Sequence, residues 1–213
     1  MAQLGSAVLW HETLGPRAPS PPARGEITAD VVIVGAGYTG LWTAYQLTRT
    51  DPTLDVVVLE ASDLAVGASG RNGGFAMTLL DFDLHRFARK WGDDAAAHAH
   101  RAVARSVTEI DRTVSEEGID ADLEATGLLR VATNDAQLAR IERERTTAER
   151  LGLDGFRLLD AGRTRELLDS PSYVGGLLED HCAIVNPAKL VVGLAEVVRS
   201  RGCGSTRARR CWI

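Results

Sequence analysis

The chain has 213 residues, enough for one large domain or two small ones, with 45% apolar and 25% charged side chains. A net charge of −5 gives no reason to expect nucleic acid as a partner. Three cysteines without metal-ligand spacing argue against a zinc site or a disulfide framework, and no basic leader or membrane-length apolar run is present, so the expected setting is the cytoplasm, away from membranes.

Residues 1–28 read as an extended arm. Pro16, Pro19, Pro21 and Pro22 favour extended backbone and lack amide donors, while Trp10 in AVLWHETL can pin the arm to the body. The texture changes at Ala29. DVVIV (30–34) is a continuous β-branched run, the pattern of a parallel strand buried on both faces. TGLWTAYQLTRT (39–50) sets Leu41, Ala44, Tyr45 and Leu47 on one helical stripe. Asp51-Pro52 stops that helix, and DVVVLE (55–60) is a second buried strand. Residues 29–80 therefore hold a βαβ unit followed by DLAVGASGRNGGF (63–75), a glycine-rich loop.

Residues 81–185 read as alternating helices and strands. DDAAAHAHRAVARSVTEIDRTVSEEG (93–118) is a long helix ended by Gly118, and DADLEATGLLRVAT (120–133) is a strand pair or one bent strand. DAQLARIERERTTAERLG (135–152) is a polar-faced helix capped by Asn134 or Asp135, its ERER a solvated face. FRLLD and GRTRELLDS give a short strand and helix, and YVGGLLEDHCAIV (173–185) is strand-like. His98 and His100, two apart on a helix, point to different faces and share no metal; Trp42 and Trp91 read as core. NPAKLVVGLAEVVRSRG (186–202) starts a helix with Asn186 as cap and Pro187 at the first helical position.

The chemistry lies in VVIVGAGYTG (31–40). A turn between strand and helix faces the helix N-terminus, where unpaired amides and the helix dipole attract phosphate. Gly35 permits the sharp turn, Gly37 clears the approach of a diphosphate, and Gly40 lets helix and strand pack closely. Glu60, 25 residues beyond Gly35, ends the second strand where an acid accepts hydrogen bonds from a ribose diol. An ordinary solvated strand-end carboxylate is the alternative for Glu60. The glycines alone do not separate NAD from FAD. GASGRNGG (67–74) bears on that choice: its small residues admit a second approach to the cofactor, and Ser69, Arg71 and Asn72 offer hydroxyl, guanidinium and amide donors. The alternative is a surface loop.

Together DVVIVGAGYTGLWTAYQL, VVVLEA, VGASGRNGG and IVNPAKLVVGLAEVVRSRG resemble the FAD-dependent amine and amino-acid oxidoreductases of the D-amino-acid oxidase superfamily, nearest the gamma-glutamylputrescine oxidoreductase-like branch. The resemblance implies an α/β fold: a Rossmann-like FAD-binding βαβ with part of an inserted α+β substrate-side region. It implies that Gly35, Gly37, Gly40 and Glu60, with Tyr38, Thr39 and Ala61 beside them, hold the ADP half of FAD. Ser69, Gly70, Arg71, Asn72, Gly73, Gly74 and Phe75 would run along the diphosphate and ribityl chain. The implied reaction oxidises a small amine or amino acid at the carbon beside nitrogen; no catalytic residue is nominated. The alternatives are a non-catalytic dinucleotide-binding remnant and an NAD-binding module.

The resemblance also implies members about twice this length, with a further parallel strand after residue 202. The chain instead ends in CGSTRARRCWI (203–213), expected to be an out-of-frame, disordered tail that supplies no strand. One synonymous back-translation, read in a shifted frame, gives VRLYEGTPVLD, a plausible strand and turn. The expectation is an incomplete enzyme, inactive alone, cut short by a frameshift near Gly202; the alternatives are a chain completed by another that carries the missing half, and a genuine short protein with a disordered basic tail.

Overall fold

The computed structural model describes residues 8–17, 20, 22–80 and 83–202, together with the backbone of 204–207. The chain divides into two units: Met1–Gly74 with Thr113–Leu123 and Val185–Ile213, and Phe75–Arg112 with Glu124–Ile184.

In the first unit the arm carries one short helix, α1 (Leu9–Glu12), that buries none of its residues. The β-branched run forms β1 (Val31–Val34), and the glycine turn leads directly into α2 (Tyr38–Thr50). The second apolar run forms β2 (Val56–Glu60), paired in parallel with β1 from Val31↔Val56 to Val34↔Leu59. This is the strand–turn–helix–strand order expected of the glycine pattern.

Two features of the first unit differ from expectation. β1 is not buried on both faces: it is an edge strand among the described residues, with Val32 52% and Val34 74% exposed. A continuous β-branched run records strand propensity, but its burial depends on neighbours that the run itself does not specify. On α2 the buried stripe is Leu41, Ala44, Tyr45 and Thr48, so Thr48 rather than Leu47 faces inward. Its hydroxyl donates to the Ala44 and Tyr45 carbonyls, which removes the cost of burying it.

The second unit begins with β3 (Phe75–Ala76) and continues through two helices, α3 (Leu84–Trp91) and α4 (Asp93–Glu116). Sequence reading did not foresee α3. It leaves Trp91, expected in the core, 44% exposed beneath the Lys90 ammonium. β4 (Leu128–Ala132) is followed by α5 (Asp135–Arg150), where Asn134 is the cap and accepts from the Gln137 amide. β5 (Phe156–Asp160), α6 (Ala161–Leu167), β6 (Gly175–Glu179) and β7 (Ala183–Ile184) complete the unit. β6 lies between β4 and β5, antiparallel to both, and β7 pairs with β3. Leu84, Ala88, Ala96, Ala97, Ala148, Leu151 and Leu153 form its apolar core.

From Thr113 to Leu123, the last turn of α4 included, the chain already belongs to the first unit; it returns there again at Val185, ahead of α7 (Pro187–Ser200), capped by Asn186, whose side chain accepts from the Lys189 amide. Leu190, Val191, Leu194 and Val198 are buried along it, at roughly 1.5–3 kcal/mol for each side chain removed from water. The residues after α7, expected to supply no strand, instead form β8 (Gly204–Arg207). It pairs in parallel with β2 from Val57↔Gly204 to Glu60↔Arg207, giving a sheet of order β1-β2-β8. Backbone pairing needs extended geometry more than a particular side-chain pattern, so the polar tail was a poor guide to it. The expectation for Cys203 and residues 208–213 lies outside the described residues.

Candidate cofactor-binding site

The fingerprint turn is held from inside. Gly35 adopts φ 100°, a left-handed conformation that side-chain-bearing residues rarely take. A Cβ on Gly40 would collide with the Gly35 carbonyl oxygen, so α2 can start this close to β1 only with glycine there. Gly37 is the N-cap of α2 with extended backbone, and a Cβ there would lie 3.0 Å from the Ser69 hydroxyl oxygen.

Glu60 is not a loose strand-end carboxylate. One oxygen accepts from the Ala36 amide at 2.8 Å, and the other accepts from the Ser62 amide and hydroxyl, each at 3.1 Å. Its position at the end of β2, parallel to β1, places the carboxylate across the mouth of the turn. Ala36 carried no signal in the sequence, because an amide bonded to a side chain 24 residues away leaves no local pattern.

The 67–74 loop joins the same site through Ser69, whose hydroxyl accepts from the Tyr38 amide at 3.0 Å. A short 3₁₀ turn, Ala68–Gly70, shapes the loop, and a Cβ on Gly70 would collide with the Ala65 backbone. Asn72 stiffens the end of the loop: its amide nitrogen donates to the Ser69 carbonyl at 2.9 Å, and its oxygen accepts from the Gly74 amide at 2.9 Å. Gly74 in turn lends its carbonyl to the Val185 amide, fixing the loop to the start of α7. Tyr38 makes a second tie, donating its phenol to the Pro187 carbonyl at 3.1 Å. Burial pushes the Tyr38 phenol up to about 12, against a lowering by Asn72, so it remains a neutral donor at physiological pH.

Gly35, Gly37, Tyr38 and Gly40 make the turn, Glu60 and Ser69 bond to it, and Gly70, Asn72 and Gly74 shape the loop that carries Ser69. Thr39, Ala61, Arg71 and Gly73 are exposed beside it. Phe75 belongs to the other unit, on β3, and is 64% exposed.

Beside the turn lies a cavity of about 790 Å³, whose lining includes Ala36, Glu60, Ser62, Glu196 and Arg199. That size suits one half of a dinucleotide. The residues fit the group: close-packed glycines at a helix N-terminus, an acid at the end of the second strand, and a cavity between them. Among the described residues no group of three or more His, Cys, Asp or Glu side chains could hold a metal ion.

In the second unit Glu179 is 2% exposed and receives hydrogen bonds from Thr78 and from His100 Nε2 at 3.2 Å, with an Arg130 nitrogen 3.4 Å away. Burial pushes this carboxyl up, but the His100 and Thr78 bonds and the Arg130 charge outweigh it and hold Glu179 below the ordinary carboxylate range. Glu144, expected on a solvated face, is buried and accepts from the Leu84 amide at 3.2 Å. Burial raises its pKa. ERER reads as solvent-facing only because α3, which covers Glu144, was not foreseen.

The fold and the turn together define a dinucleotide-binding domain of the strand–glycine turn–helix class. The match can be made narrower. Residues 30–207 match the family model described as FAD dependent oxidoreductase, and the chain belongs to that family. It is 37% identical over 185 residues to gamma-glutamylputrescine oxidoreductase of Escherichia coli (strain K12), covering 87% of this chain and 43% of the relative. Glycine oxidase from Bacillus cereus superposes with a TM-score of 0.63 at 21% identity, over 84% of this chain and 47% of that structure. L-alpha-glycerophosphate oxidase from Mycoplasma pneumoniae, solved with FAD bound, superposes with a TM-score of 0.64 at 21% identity, over 85% and 45%. The chain therefore spans under half the length of these relatives.

Proposed function

We propose that this chain is the FAD-binding portion of an oxidoreductase that oxidises a small amine or amino acid at the carbon beside nitrogen. The observation that carries the cofactor assignment is the pair of bonds that tie the glycine turn to its two neighbours, Ala36 to Glu60 at the end of β2 and Tyr38 to Ser69 in the 67–74 loop. When bound, the flavin would supply the hydride acceptor. The residues of this chain bind and orient it: the α2 N-terminus faces the diphosphate, Glu60 faces a ribose, and the Ser69–Gly74 loop follows the chain beyond. The name of the E. coli relative supports an amine substrate, and that of the glycine oxidase an amino acid. The cytoplasmic setting rests on composition; among the described residues no helix is long and apolar enough to cross a membrane.

As given, this chain binds FAD but turns over little or no amine. Two observations support this: coverage of 43% of the E. coli relative, and an edge strand β1 that shows Val32 and Val34 to solvent. Parallel sheets are normally covered on both faces and their open edges paired, so the polypeptide that completes the enzyme, supplied in line or as a second chain, would cover Val32 and Val34 and pair beside β1. The test is purification followed by absorbance near about 450 nm for flavin, then oxygen uptake or dye reduction with an amine panel. Flavin without turnover is expected. Turnover by the 213-residue chain would overturn the incompleteness, and failure to bind FAD would overturn the assignment.

A further inference from the structure

The N-terminal arm makes three directed hydrogen bonds to the cofactor loop and its support, although its helix buries no side chain. Trp10 donates its indole N–H to the Asn72 carbonyl at 2.8 Å. The ring edge lies over Gly74, where an added Cβ would sit 3.4 Å from Trp10 Cζ2. His11 Nε2 lies 2.8 Å from the Ala65 carbonyl, and the Asn186 side chain donates to the Thr13 hydroxyl at 2.8 Å. The next residues of the arm, His11 and Leu14–Arg17, line the 790 Å³ cavity opposite Glu60 and Ala36.

From this geometry we propose that the arm is a clasp of the cofactor site. Trp10 and His11 are positioning residues that hold the 65–74 loop in its binding shape, and the arm walls the adenosine side of the cavity. The proposal rests on the reading of this site as an FAD site, and it assigns the arm a part that the glycine pattern does not. The physical argument is about ordering. A loop of small residues such as GASGRNGG has high conformational entropy, and each bond that fixes it beforehand lowers the cost of ordering it around a ligand. The arm has almost no apolar burial of its own, so its docking is weak and depends on what lies beneath it. By reciprocity, a cofactor that needs the ordered loop must also strengthen arm docking.

The experiment uses the full chain and FAD as the probe. Trypsin cleavage at Arg17 is timed with and without FAD, and FAD affinity is measured for wild type, Trp10→Phe, His11→Ala and His11→Gln. FAD should slow cleavage at Arg17. Trp10→Phe keeps the ring and loses the N–H, and should weaken FAD by about 3-fold, as expected for one partly exposed hydrogen bond. His11→Ala should do the same, and His11→Gln, which keeps a donor near the Nε2 position, should recover most of the affinity. Unfolding curves without FAD identify any variant that has lost its fold; the Arg17 protection needs no variant and stands by itself. If wild type binds FAD but Arg17 is unprotected and the variants bind equally, the clasp is wrong and the cofactor reading survives. If wild type does not bind FAD, both fall.

Discussion

Replacing Glu60 with glutamine tests the centre of the site, because it removes the charge and one acceptor while leaving the shape. The carboxylate now satisfies two backbone amides with two oxygens, Ala36 on one side and Ser62 on the other. Glutamine has one oxygen, so its NH₂ must face one of those N–H donors. The Ser62 hydroxyl can rotate to accept from that NH₂; a backbone amide cannot. The oxygen then stays on Ala36 and the Ser62 amide is left unpaired; because Ser62 is half-buried the cost is about 1–2 kcal/mol. For a chain of this size that lowers the melting temperature by roughly 2–8 °C. FAD affinity should fall by about 5–30-fold through loss of a charge-assisted ribose contact. Thermal unfolding and an FAD titration on the same preparations read both quantities, with Ser62→Ala as a control that removes only the hydroxyl. Unchanged melting and unchanged affinity in Glu60→Gln would refute the site as built, since no contact of Glu60 would then matter.

Gly37→Val should fold, because its backbone is extended and the added Cβ meets only the Ser69 side chain, yet lose FAD by more than about 100-fold; equal titration curves for both proteins would remove the turn from the site. Asn186→Ala should destabilise by about 1–2 kcal/mol in chemical denaturation, since it removes the α7 cap and the bonds to Thr13 and Asp122. The depressed pKa of Glu179 means that its ionisation stabilises the fold at pH above the ordinary carboxylate value of about 4.3, a contribution lost as pH falls through its lower folded value. Glu144, with a raised pKa, works in the opposite sense. Glu179→Gln should therefore be less stable than wild type at pH 7, with a deficit that shrinks as pH falls below about 4.3; a deficit that does not change with pH would contradict the ionic role.

The glycine turn was legible because its requirements are local: a left-handed Gly35, an extended Gly37 at the helix start and a crowded Gly40 all sit within six residues. The α7 start was legible for the same reason, Asn186 and Pro187 being adjacent signals. What the sequence hid is what depends on distant partners. β1 reads as two-sided because a β-branched run states propensity and not neighbours. Glu144 reads as solvated until Leu84 is seen to donate to it from 60 residues away. Trp10 was legible as an anchor, but its acceptor, a backbone carbonyl of Asn72, has no sequence signature at all.

The turn amides also bear on the heat of binding. The Ala36 N–H is already donated to Glu60, and the Tyr38 N–H to Ser69. A phosphate or ribose oxygen that takes either amide exchanges one acceptor for another, so the number of protein–ligand bonds overstates the enthalpy gained. Calorimetry should accordingly find FAD association less exothermic than its contact list suggests, with release of hydrating water supplying much of the driving force. Ser69→Ala, which frees the Tyr38 amide beforehand, should make the measured enthalpy more negative even if the affinity falls.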